Sequence, residues 1–156
     1  MPGVDYQSGD LAPGAADRVL DLRSLDLPDA SVTLLLCVHV LEHVDDEARA
    51  FAEIRRVLEP DGRAILQVPR RRGPTLEEEG GPLGPAERLA RFGQEDHVRV
   101  YGDDYADRLA RAGFSVRVDV FRDELSPEEH RRFGLLHPDA ADPHDDRLWE
   151  VVTVAP

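Results

Sequence analysis

The amino-acid sequence predicts a three-layer α/β fold built on a parallel sheet, in one domain over residues 1–156. Three observations carry this. Val32 to Val38 (VTLLLCV) is a near-continuous apolar run rich in β-formers, as in strands covered on both faces. A helical pattern follows, with Ala48, Phe51, Ile54 and Leu58 recurring on one face. Along the whole chain, helical segments fall between most of the strands, which is the order of layered α/β folds.

Each element has its own local reason. Tyr6 to Leu11 (YQSGDL) reads as a short strand ending in an acidic turn at Asp10. Arg18 to Leu22 (RVLDL) is a second short strand ending at Asp21. After the long apolar run, Asp45, Asp46 and Glu47 place negative charge on the first helical turn, where the free N–H groups and the dipole favour it. Pro60-Asp61-Gly62 ends that helix. Ala64 to Val68 is the next buried strand, stopped by Pro69. Residues 70–86 are rich in Arg, Glu, Gly and Pro and predict a long exposed loop. Glu87 to Phe92 and Asp103 to Ala112 predict helices, the second ended by Gly113. Phe114 to Phe121 alternates as a strand does. Ser126-Pro127-Glu128-Glu129 opens another short helix. Residues 123–147 form a loop-rich C-terminal segment, and Leu148 to Val154 is a final strand.

Composition narrows the function classes. An apolar fraction of 41% supports a real core, and a net charge of −13 argues against a broad grip on nucleic acid or anionic lipid. Every basic residue is arginine; we read that as compositional bias. Arg70, Arg71 and Arg72 read as a solvated loop that Glu77, Glu78 and Glu79 can pair with. The one cysteine, Cys37, suits a reducing compartment, and neither a signal-peptide pattern nor a membrane-length apolar run is present. A cytoplasmic location is the resulting expectation. Trp149 reads as core or interface, and His130, His137 and His144 carry no motif.

Val38 to Val44 read VHVLEHV. His39, Glu42 and His43 stand at i, i+3 and i+4, which share one face if the stretch is helical. H-x-x-E-H is also the spacing of one zinc-protease class. The apolar strand runs up to Val38, however, so His39 lies at a strand end, whereas a protease site lies inside a long helix with a further ligand elsewhere.

The run LPDASVTLLLCVHVLEHVDDEARAFAEIRRVLEPDGRAILQVP (Leu27 to Pro69) resembles a class I S-adenosylmethionine-dependent methyltransferase of the small-molecule type 11 group. FGQEDHVRVYGDDYADRLARAGFSV (Phe92 to Val116) continues the likeness. The resemblance implies a Rossmann-like sheet, mostly parallel with an antiparallel last strand, and ligands outside the carboxyl ends of its strands. It implies S-adenosylmethionine as cofactor. Asp10 matches the acid that accepts both ribose hydroxyls, and Asp21 the acid that accepts from the adenine amino group. The Leu22 backbone falls at the ring edge, and Cys37, Val38 and His39 pass beside the methionine part.

One departure is large. The family opens with a strand and a G-x-G-x-G loop, and Gly3, Gly9 and Gly14 are not spaced for it. The expected sheet is therefore truncated at its N-terminus. Three explanations stand open: a fragment or misassigned start of a longer enzyme, a short homologue whose sheet closes differently or through a partner chain, and a degenerate fold that no longer methylates. The chain by itself is expected to bind S-adenosylmethionine weakly or not at all.

The expected function is methyl transfer to a small-molecule acceptor, with no nucleic acid or membrane partner; the alternative is a non-catalytic interaction protein, dimeric through a sheet edge. His39 and His97 are the candidate catalytic bases, because proton removal is the one chemical task such an enzyme adds to alignment. His43 is also a candidate by position, though L-E-H-V recurs in the family as part of the fold. Some methyltransferases of this fold bind a divalent ion through E-x-x-E-H and a later histidine. Here the corresponding set is His39, Glu42, His43 and His97, chemically able to hold zinc or a similar ion.

Overall fold

The structure, a computed structural model, describes residues 3–120, 126–132 and 150–156. The expected loop at 136–146, Trp149, His137, His144 and most of the 123–147 segment lie outside these. In chain order the elements are β1 (Gly9–Asp10), β2 (Arg18–Val19), β3 (Val32–Val38), a 3-10 turn (Leu41–His43), α1 (Glu47–Val57), β4 (Leu58–Gln67), β5 (Leu76–Glu77), α2 (Pro85–Phe92), β6 (Arg99–Val100), α3 (Tyr105–Arg111), β7 (Ser115–Val120), α4 (Pro127–Arg132) and β8 (Glu150–Ala155).

The central sheet has the order β3-β4-β8-β7. β3 and β4 are parallel, and β8 runs antiparallel to both β4 and β7, so the last strand is the reversed one, as the resemblance implies. α1 starts where its acids predict: Asp46 is the N-cap and its carboxylate accepts from the Arg49 amide at 3.0 Å. The helix buries Ala50, Phe51, Ile54 and Val57. Ala48, expected in that stripe, is exposed, because the buried face turns toward Ala50 and Val57. α3 ends at Gly113, whose φ of 92° lies in the left-handed region that glycine adopts without strain. Tyr105 on α3 is fully buried and donates through its hydroxyl to the Leu66 carbonyl at 3.2 Å. Cys37, Ala64, Leu66, Val152 and Val154 face these two helices and form the core with them.

The other sheet face contradicts the expectation of a strand covered on both sides. Leu34, Leu36 and Val38 are 57%, 60% and 54% exposed. Their alternation with Leu35 and Cys37 follows the two-residue period of the strand, and no described helix packs on their side. β1 and β2 are also shorter than expected. They pair in parallel with each other and form a separate two-stranded sheet.

The 70–86 segment is less bare than its composition predicts. Arg70 is buried and bridges to Tyr101, and Leu76–Glu77 pairs antiparallel with Arg99–Val100. The loop crosses so close to Gly102 that a Cβ there would overlap Gly73 and Pro74.

Candidate functional site

The end of β3 and the turn after it build the site. The His39 amide donates to the Gln67 carbonyl at 2.8 Å, the last tie to the sheet, and His39 itself has φ of 54°. That left-handed conformation is uncommon for a residue with a Cβ. It turns the chain out of the sheet into the 3-10 turn, so His39, Glu42 and His43 do not share a face of a regular helix.

His97 reaches this turn from far along the chain. The Val98 amide donates to the Glu42 carbonyl at 2.9 Å. The buried Arg99 guanidinium donates to the Leu41 carbonyl at 2.8 Å, to the Val44 carbonyl, and to the Asp45 carbonyl at 3.0 Å. Arg99 thereby ties together three backbone carbonyls of the turn and the residues just before α1, of which Leu41 also accepts from the Val44 amide at 3.2 Å. Sequence reasoning missed Arg99. Its only local signal is a charge inside the apolar run around Val98 and Val100.

Glu42, His43 and His97 each offer a ligand-capable atom within 4.8 Å of the others. Of the four metal candidates, His39 alone falls outside this group. The His43 and His97 rings meet edge to face with centroids 4.7 Å apart. His43 Nδ1 lies 3.2 Å from an Asp96 carboxylate oxygen; with Nδ1 as the donor, Nε2 keeps its lone pair. Glu42 is 1% exposed, and among the described residues neither its Oε2 nor the buried His97 Nδ1 has a hydrogen-bond partner. Burial pushes the Glu42 carboxyl up. Burial, and then the neighbouring His43, push the His97 imidazole down, so His97 favours its neutral form. Burial, with Glu42 close by, pushes the Cys37 thiol up to about 12.

The two aspartates expected at the cofactor differ sharply. Asp10 is exposed, and one of its oxygens accepts from the Ala12 amide at 2.7 Å. The Asp21 carboxylate is bound on both oxygens by Arg23, and these hydrogen bonds hold it below the usual carboxylate range. Asp10, exposed and with its second oxygen unengaged among the described residues, is chemically able to accept ribose hydroxyls. Asp21 does not fit the adenine amino group while Arg23 holds it.

Residues 5–66 match the family described as "Methyltransferase domain". Over this stretch the chain is similar to that methyltransferase family. The match covers β1 to nearly the end of β4, including the turn that carries Glu42. An uncharacterised 37.1 kDa protein in a transposon of Streptomyces fradiae is 33% identical over 136 residues, which are 83% of this chain and 36% of that protein. A protein of Mycolicibacterium smegmatis named "Probable S-adenosylmethionine-dependent methyltransferase" is 36% identical over 75 residues, 44% of this chain and 29% of that protein. The chain thus spans about a third of the length of these curated relatives. Among solved structures, an S-adenosylmethionine-dependent methyltransferase from Mesorhizobium loti superposes with a TM-score of 0.57 at 20% identity, over 93% of this chain and 72% of the other. A chain from the complex between the Haloferax volcanii Trm112 methyltransferase activator and a methyltransferase gives 0.53 at 16% identity, over 89% and 60%. At these identities the likeness establishes the Rossmann-like methyltransferase fold. No helix among the described residues is long and apolar enough to cross a membrane.

Proposed function

We propose that this domain serves S-adenosylmethionine-dependent methyl transfer to a small-molecule acceptor, with His97 as the group that takes the acceptor's proton. The observation that carries the reading is the buried His97 Nδ1, which has no partner and stands beside the strand end where the family's ligands bind. His39, exposed on the same turn, is the second candidate base. Asp10 would receive the ribose hydroxyls, the Leu22 backbone would lie at the adenine edge, and Cys37, Val38 and His39 would line the methionine end. When bound, S-adenosylmethionine supplies an electrophilic methyl group; the residues named here align the acceptor with it and remove a proton. The test is formation of S-adenosylhomocysteine across a panel of hydroxyl, amine and thiol acceptors. His97→Ala should lower kcat about a hundredfold with cofactor affinity unchanged. No turnover by the unaltered chain with any acceptor, or an unaffected variant, would sink the reading.

A second reading is favoured by the unpartnered Glu42 Oε2. Glu42, His43 and His97 would together hold zinc or a similar divalent ion, with Asp96 orienting His43 from behind. Metal analysis of protein purified without a histidine tag decides it: about one ion per chain supports the site, and a metal-free protein that takes up none on titration rejects it.

The exposed stripe of Leu34, Leu36 and Val38 supports a third reading, a non-catalytic or partner-completed domain that pairs through the free edge of β3. The Haloferax volcanii relative, solved in complex with an activator, is consistent with a partner chain. Light scattering across a concentration series measures this, and a strictly monomeric chain at all concentrations counts against a homodimer.

A further inference from the structure

We infer that Arg23 makes the cofactor site indifferent to the purine 6-substituent, by withholding Asp21 from the exocyclic amine. The inference rests on the methyl-transfer reading and on the resemblance that matches Asp21 to the adenine acid.

The geometry is specific. Asp21 Oδ1 accepts from the Arg23 amide at 2.8 Å and from Nε at 3.0 Å. Oδ2 accepts from Nε at 3.2 Å and from Nη2 at 2.7 Å. A carboxylate offers about four lone-pair positions, two on each oxygen. Three N–H groups of Arg23 cover both oxygens, with the single Nε hydrogen shared between them. An adenine amino group can bond to Asp21 only by displacing the guanidinium.

Arg23 is also held from its far side. Its Nη1 donates to Asp45 Oδ1 at 2.8 Å, next to the N-terminus of α1, and its carbonyl accepts from Arg49 Nε at 2.7 Å. The Ser24 amide donates to the Asp21 carbonyl at 2.9 Å and closes the turn that brings Asp21 and Arg23 together. Arg23 therefore bridges the segment after β2 to the start of α1. Asp10 has no such partner, so the ribose acid remains available while the base acid is engaged.

The chemical consequence is loss of discrimination at the purine 6-position. A site with a free carboxylate there rewards an amine and rejects an analogue that lacks it, because the buried acceptor is then left unpaired. A site whose carboxylate is already saturated gains little from the amine and loses little without it.

Calorimetry on the full chain tests this, with S-adenosylhomocysteine and its 6-oxo analogue S-inosylhomocysteine as probes. The unaltered chain should bind the two weakly and within about twofold of each other, and Arg23→Ala should favour the adenosyl form by about tenfold. Arg23→Gln should behave likewise and guards against loss of the fold, which circular dichroism monitors. Adding Asp21→Asn to Arg23→Ala should abolish the preference. Equal preference with and without Arg23, with binding otherwise intact, overturns the role of Arg23 and leaves the methyl-transfer reading standing. Failure of every variant and of the unaltered chain to bind either probe overturns that reading and this inference with it.

Discussion

The Val98 amide donates to the Glu42 carbonyl at 2.9 Å, joining the segment before α3 to the turn that follows β3. With Arg99 next to it, this bond places His97 against Glu42 and His43. Arg99→Ala leaves the carbonyls of Leu41, Val44 and Asp45 without their shared donor. It should cost about 3 kcal/mol of stability, measured by urea denaturation. Arg99→Lys should recover only part of this, since an ammonium cannot span the three acceptors as a planar fork does. A cost indistinguishable from zero for Arg99→Ala would show that the clamp is not holding the turn.

Glu42 carries a carboxylate into the interior with one oxygen unpartnered. Glu42→Gln keeps the shape and removes the charge. At pH 7 it should leave stability unchanged or raise it by about 1 kcal/mol, read as the shift in thermal midpoint. A marked loss would mean that Glu42 has a partner in solution, and a bound cation would then be the first to look for.

Cys37 gives a pH dependence with a definite sign. In the unfolded chain the thiol ionises near its ordinary value of 9.0; in the fold, burial holds it protonated up to about 12. Between those values the folded state binds more protons than the unfolded state, so stability falls as pH rises. The Cys37→Ala variant should show a shallower decline between pH 9.0 and 12 than the unaltered chain, in denaturation series at fixed pH values. Parallel slopes would contradict the burial of the thiol.

The Asp46 carboxylate caps α1 through the Arg49 amide. Asp46→Ala should cost about 1 kcal/mol, and Asp46→Asn much less, because asparagine also accepts at the cap. Equal losses for both would assign the effect to charge rather than to the hydrogen bond.

The two faces of the sheet should respond oppositely to truncation. Leu66 is fully buried under the helices, and Leu66→Ala should cost about 2–5 kcal/mol. Leu36 is 60% exposed, and Leu36→Ser should cost under about 1 kcal/mol. A large loss at Leu36 in the isolated chain would mean that something covers this face in solution.

Much of the fold is legible in the sequence. The start of α1 at its acids, the end of α3 at Gly113 and the core face of β4 all follow from local signals: capping side chains, a glycine that tolerates positive φ, and alternation of apolar residues. The apolar run of β3 misled in one respect. A run rich in leucine and valine predicts burial on both faces, yet burial depends on what packs against it, and no described helix lies over Leu34, Leu36 and Val38. Arg70 misled in the opposite direction, since a charged tripeptide reads as solvated while its first member is buried and its backbone bridges to Tyr101.

The site divides in the same way. Local letters determined that His39, Glu42 and His43 sit between a strand and a helix, and that Asp10 and Asp21 end their short strands, because strand and helix periods are set by neighbours along the chain. Only the tertiary structure decided that His97, and not His39, completes a group with Glu42 and His43, since that depends on backbone pairing between Glu42 and Val98. It also decided that two aspartates alike in sequence context differ in their partners: among the described residues Asp10 accepts from one amide, while Asp21 is held on both oxygens by an arginine two residues away. Hydrogen-bond partners are a property of positions in space, and the spacing of letters does not fix them.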